Sequence, residues 1–415
     1  MDFTLDDIRY LQSAAGERLL ERLRAEDLSD AQALALITKL RKDYGARESA
    51  AAVEMARLRV KAVEKFGDDA AKMFFTGAAL EQASDPLIRR HRSVRSMHSG
   101  SVIDACCSIG SDAFTFAGAY PLRAGGVLGL DIDPVRIAIA SFNAERLQVR
   151  ARFEVSDVTS DDRLRRLDED DLIFFDPARR TAAGKRIYTV EDYQPPLSTM
   201  HVWLQAATER LWMEVKLSPG VALDQVQTYP GYVTFYSVEG DLKEAGLSVS
   251  TESSGSFFCE SVLFLNGRIY QWAAHPSSEQ MALSNPRAYI CEPDPALIRA
   301  GYVQDIAAKY NGALLDDTIA YFTCDTLPSD PDLRVWAKAW RVRDWLPFNL
   351  KRIREYCRAH DIGGVTVKKR GTAVTPEIII PQLKLKGDDR ATLVLTRCKN
   401  AQIAIVCDEM PVGQG

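Results

Sequence analysis

The chain has 415 residues, 46% hydrophobic and 26% charged, with a formal net charge of −5. That length exceeds one ordinary core, so two or three domains are expected, and the composition is globular rather than disordered or fibrous. No apolar run approaches the roughly 18 residues of a membrane helix, and the acidic start MDFTLDDIRY lacks an apolar signal region, which argues against membrane and secreted readings.

Residues 1–97 read as a helical domain. In SDAQALALITKLRKDYG, Ser29 and Gln32 have capping-box spacing, Ala33, Leu34, Leu36, Ile37 and Leu40 recur at helical period, and Gly45 stops the pattern. ESAAAVEMARLRVKAVEKFG repeats it and stops at Gly67. A third helix is expected from Ser84 as N-cap, with Pro86 in its first turn, through LIRRHRSVRSM.

From residue 98 to about 283 the period changes. Short apolar runs (SVIDAC, GVLGLDID, ARFEVSD, DLIFFDP, RLWMEVKL) alternate with helical stretches, the signature of a parallel sheet covered on both faces. GYVTFYSVEG and FFCESVLFLNG, joined by a long connection, are expected to extend one edge as an antiparallel pair. Residues 284–415 mix the helix LPFNLKRIREYCRAHDIG with the strands VTVKK, ATLVLTRC and AQIAIVCDE, an α+β pattern.

The cysteines (Cys106, Cys107, Cys259, Cys291, Cys324, Cys357, Cys398 and Cys407) form no C-x-x-C pair, and the histidines form no H-x-x-x-H pair. Reduced thiols, a cytoplasmic location and no metal are expected. Nothing in the sequence fixes an oligomeric state. Charge is uneven: residues 334–399 carry 16 Lys and Arg against 6 Asp and Glu, a net +10 that leaves −15 elsewhere. A basic segment on an acidic chain fits a polyanionic partner, and it also fits solvated surface faces.

In an open α/β sheet the ligand lies beyond the carboxyl ends of the strands. Four consecutive strands end there in Asp104, Asp131, Asp157 and Asp176. Each alone also fits a turn former or helix cap; four in order point to a ligand. The first loop, Asp104 to Asp112, has only Gly110 where a dinucleotide fingerprint needs G-x-G-x-x-G, so it suits a smaller zwitterionic group better than a diphosphate. Asp131 can take two ribose hydroxyls, and Asp157 an adenine amino group. The set fits S-adenosylmethionine (SAM), which has no phosphate.

VIDACCSIGSDAFTFA, VLGLDIDPVRIAIASFNAERL, FEVSDV and DLIFFDPARR resemble motifs I to IV of class I SAM-dependent methyltransferases. MFFTGAALEQASDPLIRRHRSVR, YICEPDPALIRAG, LPFNLKRIREYCR, VKKRG and ATLVLTRC extend the resemblance to the bacterial group with a C-terminal THUMP-like domain. The core is also similar to trimethylguanosine synthase, through LDIDP and the Asn143-Ala pair. The resemblance implies an α/β chain: a Rossmann-like class I methyltransferase parallel-sheet core, an N-terminal helical domain and a C-terminal α+β THUMP-like domain. It implies SAM as cofactor, held by Asp104, Cys106, Ser108, Gly110, Asp131, Ile132, Asp157 and Val158, with the pre-core segment Gln82-Ala83-Ser84 closing over it.

Methyl transfer needs a nucleophile in line with the methyl group. Base N-methyltransferases use [ND]-P-P-[YFW] at motif IV, where an oxygen accepts from the target amine and a ring stacks on the base. This chain reads Asp176-Pro177-Ala178-Arg179, so Asp176, Pro177 and Arg179 are the expected catalytic residues. Arg179 and Arg180, with Tyr188 or Tyr193 as the missing ring and Lys185 and Arg186 beside them, are expected to contact substrate. Further basic clusters, Arg89-Arg90-Arg92-Arg95, Lys368-Lys369-Arg370 and Lys384-Lys386, fit a long polyanion, and RNA is the expected substrate. Methylation of a protein or small molecule, a non-catalytic SAM- or RNA-binding module, and a nicotinamide-dependent oxidoreductase are the competing readings.

Overall fold

A computed structural model of the chain describes residues 1–95, 100–119, 126–166, 171–180, 184–185, 187–207, 211–252, 257–277 and 280–411; Arg186 lies outside them. The chain falls into two compact units, residues 1–233 with 243–257, and residues 234–242 with 258–415.

The first unit opens with helices α1 (Leu5–Gln12), α2 (Ala14–Leu23), α3 (Asp30–Leu40) and α4 (Ala46–Phe66). The capping box lies at Thr4 and Asp7, not at Ser29, whose side chain makes no capping bond. Helix α3 ends at Leu40, and Gly45 instead precedes α4; Gly67, at φ 54°, ends α4 as the sequence indicated. Short α5 (Gly77–Gln82) and α6 (Pro86–Arg95) follow. The α6 start is capped by Asp85, whose Oδ1 accepts from the Leu87 N–H at 2.9 Å, and not by Ser84.

The sheet of this unit runs through β1 (Val102–Ala105), β2 (Val127–Asp131), β3 (Ala151–Val155), β4 (Leu172–Phe175) and β5 (Trp212–Leu217), in the order β3-β2-β1-β4-β5, all parallel. The chain then gives β6 (Gly231–Val238) and β7 (Asp241–Ser250), and β7 pairs antiparallel with β5. The connection expected between GYVTFYSVEG and FFCESVLFLNG is thus itself a strand. Asp241, Lys243, Glu244 and Gly246 interrupt the apolar pattern that marks strands. Helices α7 (Ser111–Ala119) and α8 (Pro134–Leu147) follow β1 and β2.

One hydrophobic core joins the N-terminal helices to the sheet domain. Leu11, Leu19, Met55 and Phe74 share it with Ile109, Phe114, Ile139 and Phe142, and the Phe74 and Phe142 rings stack at 4.0 Å. Asn143, fully buried on α8, accepts from the Phe74 N–H at 2.7 Å and donates to the Phe74 carbonyl at 3.0 Å. The amide satisfies a backbone that no strand pairs.

In the second unit, seven strands form a sheet in the order Ala313–Leu314, Phe322–Cys324, Tyr289–Pro293, Ala337–Pro347, Ala401–Cys407, Asp389–Cys398, Ile362–Lys369. Two apolar clusters flank it, one around Ile290, Trp340 and Ile405, the other around Ile353, Leu383 and Leu393. Helix Leu350–Ala359 packs in the second cluster through Ile353 and Cys357. All eight cysteines are free thiols, and Cys106 alone is not fully buried. Among the described residues no helix is long and apolar enough to cross a membrane, and no group of three or more His, Cys, Asp or Glu is placed to hold a metal.

Two arginines of the supposed polyanion cluster are interior groups. Arg92 is 2% exposed; it donates to Asp112 at 2.6 Å and to Glu244, lies 3.9 Å from Glu214, and covers the Phe174 ring at 4.6 Å. Buried Arg89 donates to the carbonyls of Ser111 at 3.0 Å and Lys65 at 2.8 Å. Only Arg90 and Arg95 of that cluster are exposed. Truncating one partner of a buried ion cluster leaves its counter-charges unpaired. Arg92→Met is therefore expected to lower unfolding stability by about 3–5 kcal/mol in a urea titration; a loss under about 1 kcal/mol would contradict the assigned role.

Candidate active site

The strand ends of the first unit surround a cavity of about 510 Å3. Beyond β1 the chain adopts left-handed backbone at Cys106 (φ 68°), Ser108 (φ 53°) and Gly110 (φ 86°). Non-glycine residues at positive φ carry strain that the surroundings must hold, and such sites cluster where ligands bind. Here the Cys107 N–H donates to the Leu130 carbonyl at 2.9 Å, and the Gly110 N–H to the Cys107 carbonyl at 2.9 Å. Gly110 does not line the cavity. A Cβ there would lie 2.7 Å from the Phe114 ring and 3.0 Å from that of Phe153, so glycine serves the turn and the packing behind it.

Asp104 is buried on β1. Its Oδ2 accepts from the Ala113 N–H at 3.0 Å, while Oδ1 has no hydrogen-bond partner among the described residues. Burial, then the nearby Asp112 and Asp176 carboxylates, push its pKa well above the usual carboxylate range. Asp131 joins two loops: Oδ2 accepts from the Ser108 N–H and Oδ1 from the Asp133 N–H, each at 2.9 Å, and Arg136 stands 3.8 Å away. Burial still raises its pKa. Asp157 is exposed, and its Oδ1 takes the Thr159 N–H at 3.0 Å and hydroxyl at 2.7 Å, while Val158 is buried.

The motif IV aspartate has a partner that sequence reasoning missed. Lys216, on β5 and 2% exposed, donates to Asp176 Oδ2 at 2.8 Å and to the Gln82 carbonyl at 2.7 Å. Lys65 donates to the neighbouring carbonyls of Leu80 (2.9 Å), Glu81 (3.1 Å) and Ala83 (2.6 Å), and burial, then Lys216, lowers its pKa. A lysine inside WMEVKL carries no sequence signal; its alternation with Met213 and Val215 reads as a solvent face. The Gln194-Pro195-Pro196 segment, also missed, lines the cavity and pairs with motif IV, since Ala178 and Gln194 exchange N–H···O bonds of 2.8 and 3.1 Å.

Asp104, Cys106, Ser108, Asp131, Ile132, Asp157, Val158 and Asp176 all line the one cavity, with Gln82 and Ala83. Ser84, Pro177, Arg179, Arg180 and Tyr188 do not line it. Ser84 and Pro177 are buried, Arg179 is half-buried, Arg180 reaches the Gly184 carbonyl at 3.4 Å, and Tyr188 is 72% exposed. Tyr193 is buried, so it is no free ring for stacking. Lys368, Lys369 and Arg370 belong to the second unit, where Lys368 and Arg370 pair with Glu292 at 2.7 and 3.3 Å and only Lys369 is exposed.

Two Mycobacterium tuberculosis proteins, from strains CDC 1551 / Oshkosh and H37Rv, are 31% identical to this chain over 353 residues, spanning 83% of it and 92% of each relative; both are named uncharacterized S-adenosylmethionine-dependent methyltransferases. The chain belongs to the S-adenosylmethionine-dependent methyltransferases. A THUMP domain-like family matches residues 337–409, and a domain of unknown function matches residues 4–62. A crystal structure from Porphyromonas gingivalis W83, with a provisional methyltransferase name, superposes at a TM-score of 0.75 over 99% of this chain and 100% of its own, at 15% identity, which speaks to fold alone.

The residues present fit SAM. A cavity of about 510 Å3 is within the usual range for such ligands. A buried carboxylate oxygen without a partner, Asp104 Oδ1, suits an ammonium, and no phosphate-cradling glycine run is present. Because an ammonium partner favours ionised Asp104, affinity for SAM is expected to fall as pH drops through the raised pKa, well before ordinary carboxylates titrate. Calorimetric titration of SAM across pH should show that fall in the methyltransferase and a flatter profile in Asp104→Asn; parallel profiles would refute an Asp104–ammonium pairing.

Proposed function

We propose that this methyltransferase acts on RNA, with the transfer beside Asp176-Pro177. SAM supplies a methyl group on a sulfonium, an electrophile that needs only a well-placed nucleophile. Asp131 accepts from the ribose hydroxyls, Asp157 faces the adenine amino group, and Asp104 faces the methionyl ammonium. Ser108 and Cys106 bring the strained loop against the methionyl part, and Ile132 and Val158 bound the adenine. Pro177 fixes the turn that presents Asp176.

One observation carries the RNA reading. The net +10 of residues 334–399 coincides with the THUMP domain-like match at 337–409. Within it Lys369, Lys384, Lys386, Arg352 and Arg358 are exposed, whereas Lys368 and Arg370 are partly neutralised by Glu292. Arg179, Arg180 and Tyr188 lie outside the cavity wall, which suits binding to the flanks of a long substrate.

Asp131→Ala removes a charge-assisted acceptor and should weaken SAM binding roughly 10- to 100-fold, read by calorimetry; unchanged affinity would refute the ribose assignment. RNA affinity should fall steeply with salt, and Lys369→Glu/Lys384→Glu/Lys386→Glu should flatten the slope by roughly 0.7 for each phosphate that is no longer neutralised. A salt-independent affinity, or labelled methyl in protein and none in RNA, would overturn the RNA reading.

A further inference from the structure

The Asp176–Lys216 pair bears on which atom is methylated. We infer that the acceptor is a hydroxyl, the ribose 2′-oxygen of an RNA nucleotide, rather than the exocyclic amine of a base; this rests on the RNA reading above.

An amine acceptor gains positive charge as its bond to carbon forms. A fixed cation close by opposes that change. A hydroxyl that gives up its proton gains negative character, which the same cation favours. Lys216 is such a cation, buried and 2.8 Å from the carboxylate at the acceptor end of the cavity. With Oδ2 held by Lys216, Asp176 Oδ1 accepts no hydrogen bond from the described residues, and one carboxylate oxygen matches the single proton of a hydroxyl. An amine of a base also wants a stacking ring. At the ring's place in motif IV stands Arg179, which is off the cavity wall, and Ala178, at the place of the second proline, lines the wall with its backbone N–H and carbonyl both taken by Gln194. The aromatic candidates do not supply one, since Tyr193 is buried and Tyr188 is outside the wall. Within an RNA strand the hydroxyl on each internal nucleotide is the 2′-OH.

The step balances without another reactant. The hydroxyl oxygen bonds to the methyl carbon as the carbon–sulfur bond breaks, with that bond's electron pair left on sulfur. The hydroxyl proton passes to Asp176 Oδ1 and from there to water. Lys216 is a positioning residue: it orients Asp176 and, through the Gln82 carbonyl, holds the pre-core segment at the same place.

Alkali cleaves RNA through the free 2′-hydroxyl, so a 2′-O-methylated nucleotide survives as a stable dinucleotide. With methyl-labelled SAM and total cellular RNA, label is expected in alkali-stable dinucleotides. Label in alkali-labile mononucleotides would overturn the hydroxyl inference and leave the RNA reading standing; label in protein alone would overturn both. Asp176→Asn tests the base within the protein, because an amide cannot take the acceptor's proton whichever way it turns against Lys216. Its kcat is expected to fall at least ~100-fold, with SAM affinity by calorimetry and melting temperature near wild type. Retention of more than about a tenth of kcat would overturn the inference. Lys216→Arg should recover part of the kcat that Lys216→Met forfeits, at equal SAM affinity; equal kcat in the two folded variants would remove the lysine's role.

Discussion

A buried guanidinium sets the geometry of the catalytic unit. Arg92 leaves α6, before the first strand, and meets Asp112 at the start of α7 and Glu244 on β7 over the Phe174 ring. Burying such charges is expensive unless each finds its counterpart, so the arrangement has few alternatives. It fixes α6 against the sheet, and with it the preceding turn. Lys65 and Lys216 then grip four successive carbonyls of that turn, Leu80 to Ala83. Gln82 and Ala83 become a wall of the cavity because Arg92, Lys65 and Lys216 together leave them nowhere else to go.

The same cations sort the buried carboxylates. Glu244 has burial working to raise its pKa, yet Arg92 and then Lys216 outweigh it, and the net shift is downward. Asp104 is equally buried, but the Asp112 and Asp176 carboxylates add to burial and outweigh the Ala113 N–H and Lys216, so its shift is strongly upward. Two acids in one interior thus hold opposite tendencies, set by who stands beside them. The satisfied acid holds the fold together. The unsatisfied one faces the cavity, which is where a cationic ligand group would complete it.

Much of this was legible in the sequence, for a physical reason. Parallel strands covered on both faces must be short apolar runs, and the residues after them must be turn formers near the ligand. Asp104, Asp131, Asp157 and Asp176 stood out because an acid at the end of an apolar run is conspicuous. β7 escaped because its buried Glu244 has a partner, Arg92, that is distant in sequence, and a strand holding a paired charge looks like a loop. Arg89 and Arg92 misled for the same reason. Four arginines in seven residues read as a basic face, whereas helical spacing turns two inward to partners on other elements. The capping role given to Ser84 moved one residue, to Asp85, which the cap itself does not distinguish in sequence.

The motif IV arginines show the converse. Arg179 stands where relatives that methylate bases carry an aromatic ring, and position alone made it the expected determinant of substrate choice. The backbone takes it off the cavity wall, because Ala178 bridges to Gln194 and the Arg179 carbonyl accepts from Ile187 at 2.9 Å, folding the loop back on itself. The cation beside Asp176 is Lys216, forty residues later in the chain and one strand over. A sheet brings together strand ends that are far apart in sequence, so the chemistry at β4 is completed by β5. On the hydroxyl reading proposed above, the difference between amine and hydroxyl acceptors lies less in the motif that names the family than in the neighbour strand's choice of a lysine at its buried end.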